Sequence, residues 1–257
     1  MLAAAKADIL ERLLAMSREL GRPELDYAIL GEGNTSARID NATFFVKASG
    51  SELRTLDAHG VVEVSLAKAL ALLDADDISD AAVKAGLAAA KIDPTSPRHP
   101  SVETVLHALA LTEGGATWVG HTHPTAVNAI LCSQAAAAAY AGRLFPDEIV
   151  VCGPAPVFIP YTDPGVPLAR RVREELRAYI AQWGQPPKVI LMQNHGLIAL
   201  GKSPQEVLNI TAMAVKTARV LAGTYALAGP HFLTAEQVAR IHTRPDEALR
   251  RKALGLQ

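Results

Sequence analysis

Three short segments carry side chains whose types and spacing suit chemistry: His121-Thr122-His123-Pro124, Gln193-Asn194-His195-Gly196 and Pro100-Ser101-Val102-Glu103. Residues two apart in a strand point to the same side, so His121 and His123 can present adjacent imidazoles to one ion. His195, from a second strand end, would add a third neutral nitrogen and leave a coordination position open, as catalytic zinc requires. Taken alone, a His-x-His pair more often means imidazoles that only hydrogen-bond at a core edge. That plain reading is the one for His59, His99, His231 and His242. Glu103 reads either as a carboxylate that moves a proton beside the metal or as a first-turn glutamate favoured by the helix dipole. His107, four residues further along the same helical face, either joins the site or packs behind it.

The elements that must position these residues can be read from periodicity and punctuation. Residues 2–20 form an amphipathic helix, with Ile9, Leu10, Leu13, Leu14 and Met16 at helical spacing. Residues 31–38 read as a polar glycine loop. Asn34 and Ser36 there either close a turn or, with Ser49 and Gly50, form an anion-binding nest. Arg38 either contacts an anion or pairs with an acid. Strands are expected at 43–48 and 61–66, and helices at 67–73 and 78–91. Residues 93–100 form a proline loop, and a helix capped by Ser101 runs to about Glu113. Further strands are expected at 116–123, 148–151, 157–161, 189–193 and 196–201, with long helices at 167–183 and 204–227. The small-sided run 135–141 reads as an ordinary helix. A short helical tail follows from about residue 230. Strands and helices mix without strict alternation. The fold class is therefore α/β, one domain over 1–257 with a mixed or antiparallel sheet between helical layers (three-layer αβα).

Composition bounds the rest. The chain has 257 residues, of which 49% are apolar, which suffices for a full core. A formal net charge of −1 without a Lys/Arg-rich run leaves no footprint for nucleic acid. Charges interrupt residues 1–20 throughout, so they are no signal peptide, and no apolar stretch approaches a membrane span. Cys132 and Cys152 show neither metal-finger nor redox spacing and read as reduced, partly buried thiols, with cytoplasm as the default location.

In order along the chain come Gly33-Asn34-Thr35-Ser36-x-Arg38, Lys47-Ala48-Ser49-Gly50, Ser101-x-Glu103, His-Thr-His-Pro and Asn-His-Gly. This succession resembles the class II aldolase/adducin family, which includes fuculose-phosphate and rhamnulose-phosphate aldolases and ribulose-phosphate 4-epimerase. The likeness runs from about Leu10 to Leu227. Residues 46–55 look most like the aldolase half of bifunctional rhamnulose-phosphate aldolase/alcohol dehydrogenases. No Gly-x-Gly-x-x-Gly follows a strand, so a dehydrogenase half is expected to be missing. The resemblance implies His121, His123 and His195 as ligands of Zn2+ or another divalent cation, and Glu103 as the acid/base. It also implies Asn34, Ser49, Gly50 and Ser101 as donors to a substrate phosphate, and a homotetramer with sites between subunits. Tyr140 is the candidate for a tyrosine lent by a neighbouring subunit. Val102 stands where the family has a second phosphate-binding serine, and valine donates no hydrogen bond. Lys47, where many relatives carry threonine, could replace that donor.

The expected activity is metal-dependent aldol cleavage of a ketose-1-phosphate, or of a related hydroxy acid, through a metal-stabilised enediolate. Burial beside the metal would raise the pKa of Glu103, offset by the cation. Keto-acid decarboxylation, sugar-phosphate epimerisation and dehydration are open to the same site, as is zinc-dependent hydrolysis. A non-catalytic adducin-like interaction module is the reading of a different class, and it predicts loss of the metal histidines.

Overall fold

The structure, a computed structural model, describes residues 2–253; Met1 and the residues after 253 in the expected 1–257 span lie outside the described residues. Seven strands form one sheet: β1 (Asn34–Arg38), β2 (Thr43–Lys47), β3 (Val61–Ser65), β4 (Trp118–Thr122), β5 (Val157–Ile159), β6 (Val189–Met192) and β7 (Gly196–Gly201). Their order is β3-β2-β1-β4-β7-β6-β5. Every neighbouring pair is antiparallel except β5 and β6, which are parallel, so the sheet is mixed as expected.

The sheet is covered on both faces because its strands alternate between two apolar cores. Phe44, Val46, Val119, Ile198 and Leu200 point into one, and Phe45, Trp118, Leu197 and Ala199 into the other. Against the first face pack α2 (Leu66–Ala71), α3 (Asp80–Ala90), α4 (Thr104–Leu111) and α8 (Val166–Trp183). Against the second pack α1 (Leu2–Leu20), α5 (Thr125–Leu131), α7 (Pro146–Cys152) and α9 (Pro204–Tyr225). The short α6 (Ala136–Ala139) and the tail helices α10 (Ala235–Thr243) and α11 (Pro245–Ala253) complete the described residues. Among them, no helix is long and apolar enough to cross a membrane.

Two expectations are corrected. Residues 34–38 are a central strand, not a loop, and their polar side chains are satisfied across the layers. Thr35 Oγ1 meets Ser17 Oγ of α1 at 2.7 Å, and Ser36 Oγ meets His107 Nδ1 of α4 at 2.7 Å. Ser36 is therefore no part of an anion nest. Arg38, at the other end of the strand, donates to the Asp40 carbonyl and Asn41 Oδ1, closing the β1–β2 turn without contacting any anion site. Residues 148–151 are likewise helical, within α7, not a strand. Pro146 opens that helix, Asp147 and Glu148 occupy its first turn, and the branched run is buried on all sides.

Candidate active site

His121 lies on β4, the central strand, between Asn34 of β1 and Ile198 of β7, and is fully buried. Its Nδ1 donates to the Leu197 carbonyl at 2.9 Å. That bond fixes the tautomer and leaves the Nε2 lone pair facing the site. His123 follows one residue after the strand, its backbone N–H diverted to the Tyr27 carbonyl at 2.8 Å. Pro124 cannot extend the ladder, and the chain turns into α5.

His195 sits in the three-residue turn between β6 and β7. Asn194 adopts a left-handed conformation (φ 55°), which asparagine tolerates better than most residues. The His195 carbonyl accepts from Asn128 Nδ2 at 3.0 Å, tying the turn to α5. Gly196 is required for contact: a Cβ there would stand 2.6 Å from both His123 Cδ2 and the Thr122 carbonyl oxygen. Asn194 and Gly196 of the Asn-His-Gly motif therefore each have a steric meaning.

The three imidazoles converge. His121 Nε2 and His123 Nε2 are 3.0 Å apart, and one nitrogen from each of the three rings lies within 4.8 Å of the others. Two nitrogens each 2.0–2.1 Å from one tetrahedral ion stand roughly 3.4 Å apart, so this donor set fits a divalent cation. Glu103, in the turn that opens α4, places Oε1 3.1 Å from His121 Nε2 and 3.2 Å from His195 Nε2. Burial opposes a charge on His121, but the Glu103 carboxylate and the Leu197 carbonyl outweigh it and raise the imidazole pKa. At His123, burial and the two neighbouring imidazoles act together and push it down to about 3. Burial likewise pulls against the Glu103 charge, yet His121 and His195 hold it well below the usual carboxylate range. The expected rise at Glu103 is thus reversed, because its closest neighbours are hydrogen-bonding imidazoles.

The structure brings the other expected site residues toward this centre unevenly. Asn34 is buried, its Oδ1 accepting from the Thr35 amide at 2.9 Å. Ser49 and Gly50 follow β2 in a turn held to the Pro100 segment: the Ser49 amide donates to the His99 carbonyl at 2.9 Å, and Ala48 pairs with Pro100. Gly50 has φ 76° and open space where a Cβ would stand. Ser101 Oγ accepts from the Glu103 amide at 3.2 Å, so it caps the turn ahead of α4 and not the helix itself. Val102 is 53% exposed and, with Ser49, His99 and Arg98, lines a cleft of about 880 Å³. Lys47 is buried, and its ammonium donates to the carbonyls of Ser51 (2.6 Å) and Gly31 (3.2 Å). Of three donors, at most one remains for a ligand. Burial lowers its pKa, with Glu103 pulling the other way.

His107 belongs behind the site. Its ring is fully buried and pushed down to about 3 by that burial, and it ties α4 to β1 through Ser36. Tyr140 is corrected: it is 8% exposed, with its hydroxyl inside the core of its own chain, so it has no reach to a neighbouring subunit. Cys152 is buried as expected, whereas Cys132 is exposed; both are free. Glu32 and the helix α5 were missed by the sequence reading.

Residues 11–222 match the family profile of the class II aldolase and adducin N-terminal domain. The chain belongs to that family. An N-terminal class II aldolase domain from Thermoplasma acidophilum is 27% identical and superposes with a TM-score of 0.64, covering 83% of this chain and 93% of that one. An L-fuculose 1-phosphate aldolase, 16% identical, superposes with a TM-score of 0.67 over 92% of this chain and 95% of its own, a likeness of fold. YuxG of Bacillus subtilis (strain 168), described as an uncharacterized oxidoreductase, is 29% identical over 196 residues. That match takes in 73% of this chain but only 26% of YuxG, so the chain spans about a quarter of that relative. YgbL of Klebsiella pneumoniae, described as a putative aldolase/epimerase/decarboxylase, is 20% identical and superposes with a TM-score of 0.65 over 91% of this chain and 98% of its own, again a likeness of fold.

Proposed function

We propose that this protein is a divalent-metal-dependent aldolase that cleaves a ketose-1-phosphate or a related hydroxy-carbonyl compound. One observation supports this reading above the others: a half-buried carboxylate oxygen 3.1 and 3.2 Å from two of three convergent imidazoles. His121, His123 and His195 would hold the cation through neutral nitrogens, with Zn2+ the first candidate and other divalent ions suited to the same donors. A cation so held keeps its full charge and favours negative charge on the substrate oxygens. The chain's own residues do the rest. In retro-aldol cleavage the hydroxyl loses its proton, the C–C bond breaks to release an aldehyde, and the electron pair stays beside the carbonyl. Glu103, ionised at the start, would take that hydroxyl proton and deliver it to the carbon that keeps the electron pair, and would do the reverse in condensation. Asn34, Ser49, Gly50 and Ser101 would bind the far end of the substrate, with Lys47, bonded to the Gly31 and Ser51 carbonyls, stiffening the adjoining loops.

Val102 leaves this end of the site short of one donor, so a carboxylate or an unphosphorylated sugar is as well suited as a phosphate. Epimerisation and decarboxylation use the same charge stabilisation and remain the second reading. The interaction module is disfavoured because all three metal histidines and Glu103 are present and assembled. A homotetramer is the assembly we propose, checked by light scattering.

The test is metal content and aldol cleavage measured together, for the wild type and His123→Ala. The substrates are rhamnulose-1-phosphate, fuculose-1-phosphate and their unphosphorylated and carboxylate analogues. About one metal per chain, lost in the variant together with aldehyde product, is expected. Protein that takes up no metal would sink the catalytic reading; metal without cleavage would move the assignment to a decarboxylase or an epimerase.

A further inference from the structure

Each metal-facing imidazole has a second nitrogen, and what that nitrogen meets decides how firmly the first is aimed. His121 uses the Leu197 carbonyl. At His123, Nε2 faces His121, so Nδ1 points away from the cluster, and the acceptor on that side is Glu32 Oε1 at 3.9 Å. The Glu32 carboxylate is itself positioned. Its other oxygen accepts from the Ile29 amide at 3.1 Å, while its own amide donates to the Ile29 carbonyl at 3.0 Å, so residues 29–32 form a turn closed at both ends. That turn is anchored next to the metal strand by Gly33, whose φ of 69° and close approach to the His121 carbonyl (2.7 Å for a notional Cβ) exclude a side chain. A cleft of about 410 Å³ lined by Asp26, Glu32, His123, Thr125 and Asn128 leaves room for the adjustment. A movement of about 1 Å brings 3.9 Å to hydrogen-bond length.

We propose that Glu32 is a positioning residue for the metal centre: its carboxylate accepts the Nδ1 proton of His123, fixing that ring with Nε2 as the ligand atom. This inference rests on the three-histidine metal reading. No chemistry is assigned to Glu32 at the substrate. It acts through His123 by holding the tautomer, limiting ring rotation and making the ligand nitrogen more electron-rich.

The experiment compares wild type, Glu32→Ala and Glu32→Gln, each titrated with zinc against a chromophoric chelator. Ring-nitrogen NMR of His123 in the metal-free proteins is read alongside. Loss of the carboxylate in Glu32→Ala is expected to weaken zinc binding about 10–100-fold and to mix the His123 tautomers. Glu32→Gln keeps a neutral acceptor and should recover part of the affinity and most of the tautomer preference. A turn role alone would lower the melting temperature of metal-free Glu32→Ala while leaving the wild-type His123 nitrogen shifts in place, and that result overturns the proposal. Wild-type zinc binding with Glu32→Ala within twofold of it overturns this inference and leaves the metal site standing. A wild type that binds no zinc removes the metal reading, and this one with it.

Discussion

The histidine cluster and the proposed cradle around Ser49, Gly50 and Ser101 are built on opposite terms. The cluster is set into the sheet: His121 is fully buried on the central strand, its ring is aimed by a backbone carbonyl, and Gly196 lets the β6–β7 turn close against it. The cradle is set on turns. Gly50 faces open space, Val102 is half exposed, and the cleft beside them is wide. A rigid centre can serve one kind of charge stabilisation across many substrates. Turns of this kind can change donors without disturbing the histidines; Val102, which donates no side-chain hydrogen bond, stands on one.

That contrast can be broken from the rigid side first. Glu103→Gln keeps size and hydrogen-bonding but loses the proton-moving group; kcat should fall about 10²–10⁴-fold while bound metal stays near the wild-type level. Equal loss of metal would make Glu103 chiefly a ligand. Next comes pH. His121 holds its proton above the ordinary histidine value in the metal-free protein, because Glu103 outweighs burial. Metal must expel that proton, so affinity should rise about tenfold per pH unit below the raised pKa. It should still be rising above pH 6.5, where an ordinary histidine is already neutral. An affinity flat above pH 6 would show His121 to be unprotonated there.

Gly196→Ala places a methyl against His123 and the Thr122 carbonyl. Overpacking of this kind costs about 1–3 kcal/mol and should weaken metal binding roughly in step, read by chelator competition and thermal melts. The smallest effect belongs to the cradle. Val102→Ser restores a donor worth about 0.5–1.5 kcal/mol, so KM for phosphorylated substrates should fall about 2–10-fold while metal affinity is unchanged. A change in metal affinity there would erase the distinction between the two regions.

How much of this was legible in the sequence follows the same division. The helices over Leu2–Leu20, Val166–Trp183 and Pro204–Tyr225 and the strands around His121 and His195 carry ordinary apolar patterns, and they formed where periodicity placed them. The segment Asn34–Arg38 did not announce itself as a strand, because burial of Thr35 and Ser36 depends on Ser17 and His107, distant in sequence. Residues 148–151 misled in the opposite way: an unbroken branched run has no period, and the better signal was Pro146 followed by two acids. The three histidines were readable because His-x-His and Asn-His-Gly have a fixed spacing at strand ends. Glu32 was not, since a lone glutamate in a loop has no pattern until the fold brings His123 beside it. The exclusion of Tyr140 likewise required the fold.

β4 is the fourth of seven strands, hydrogen-bonded along both edges, and it carries His121. Strands in that position exchange their amide hydrogens only when most of the domain opens. The aim of the His121 ring therefore outlasts local fraying and is lost only when the domain opens. His123 and His195, on turns outside the strands, can loosen earlier, so an ion held by all three would find its way out on their side.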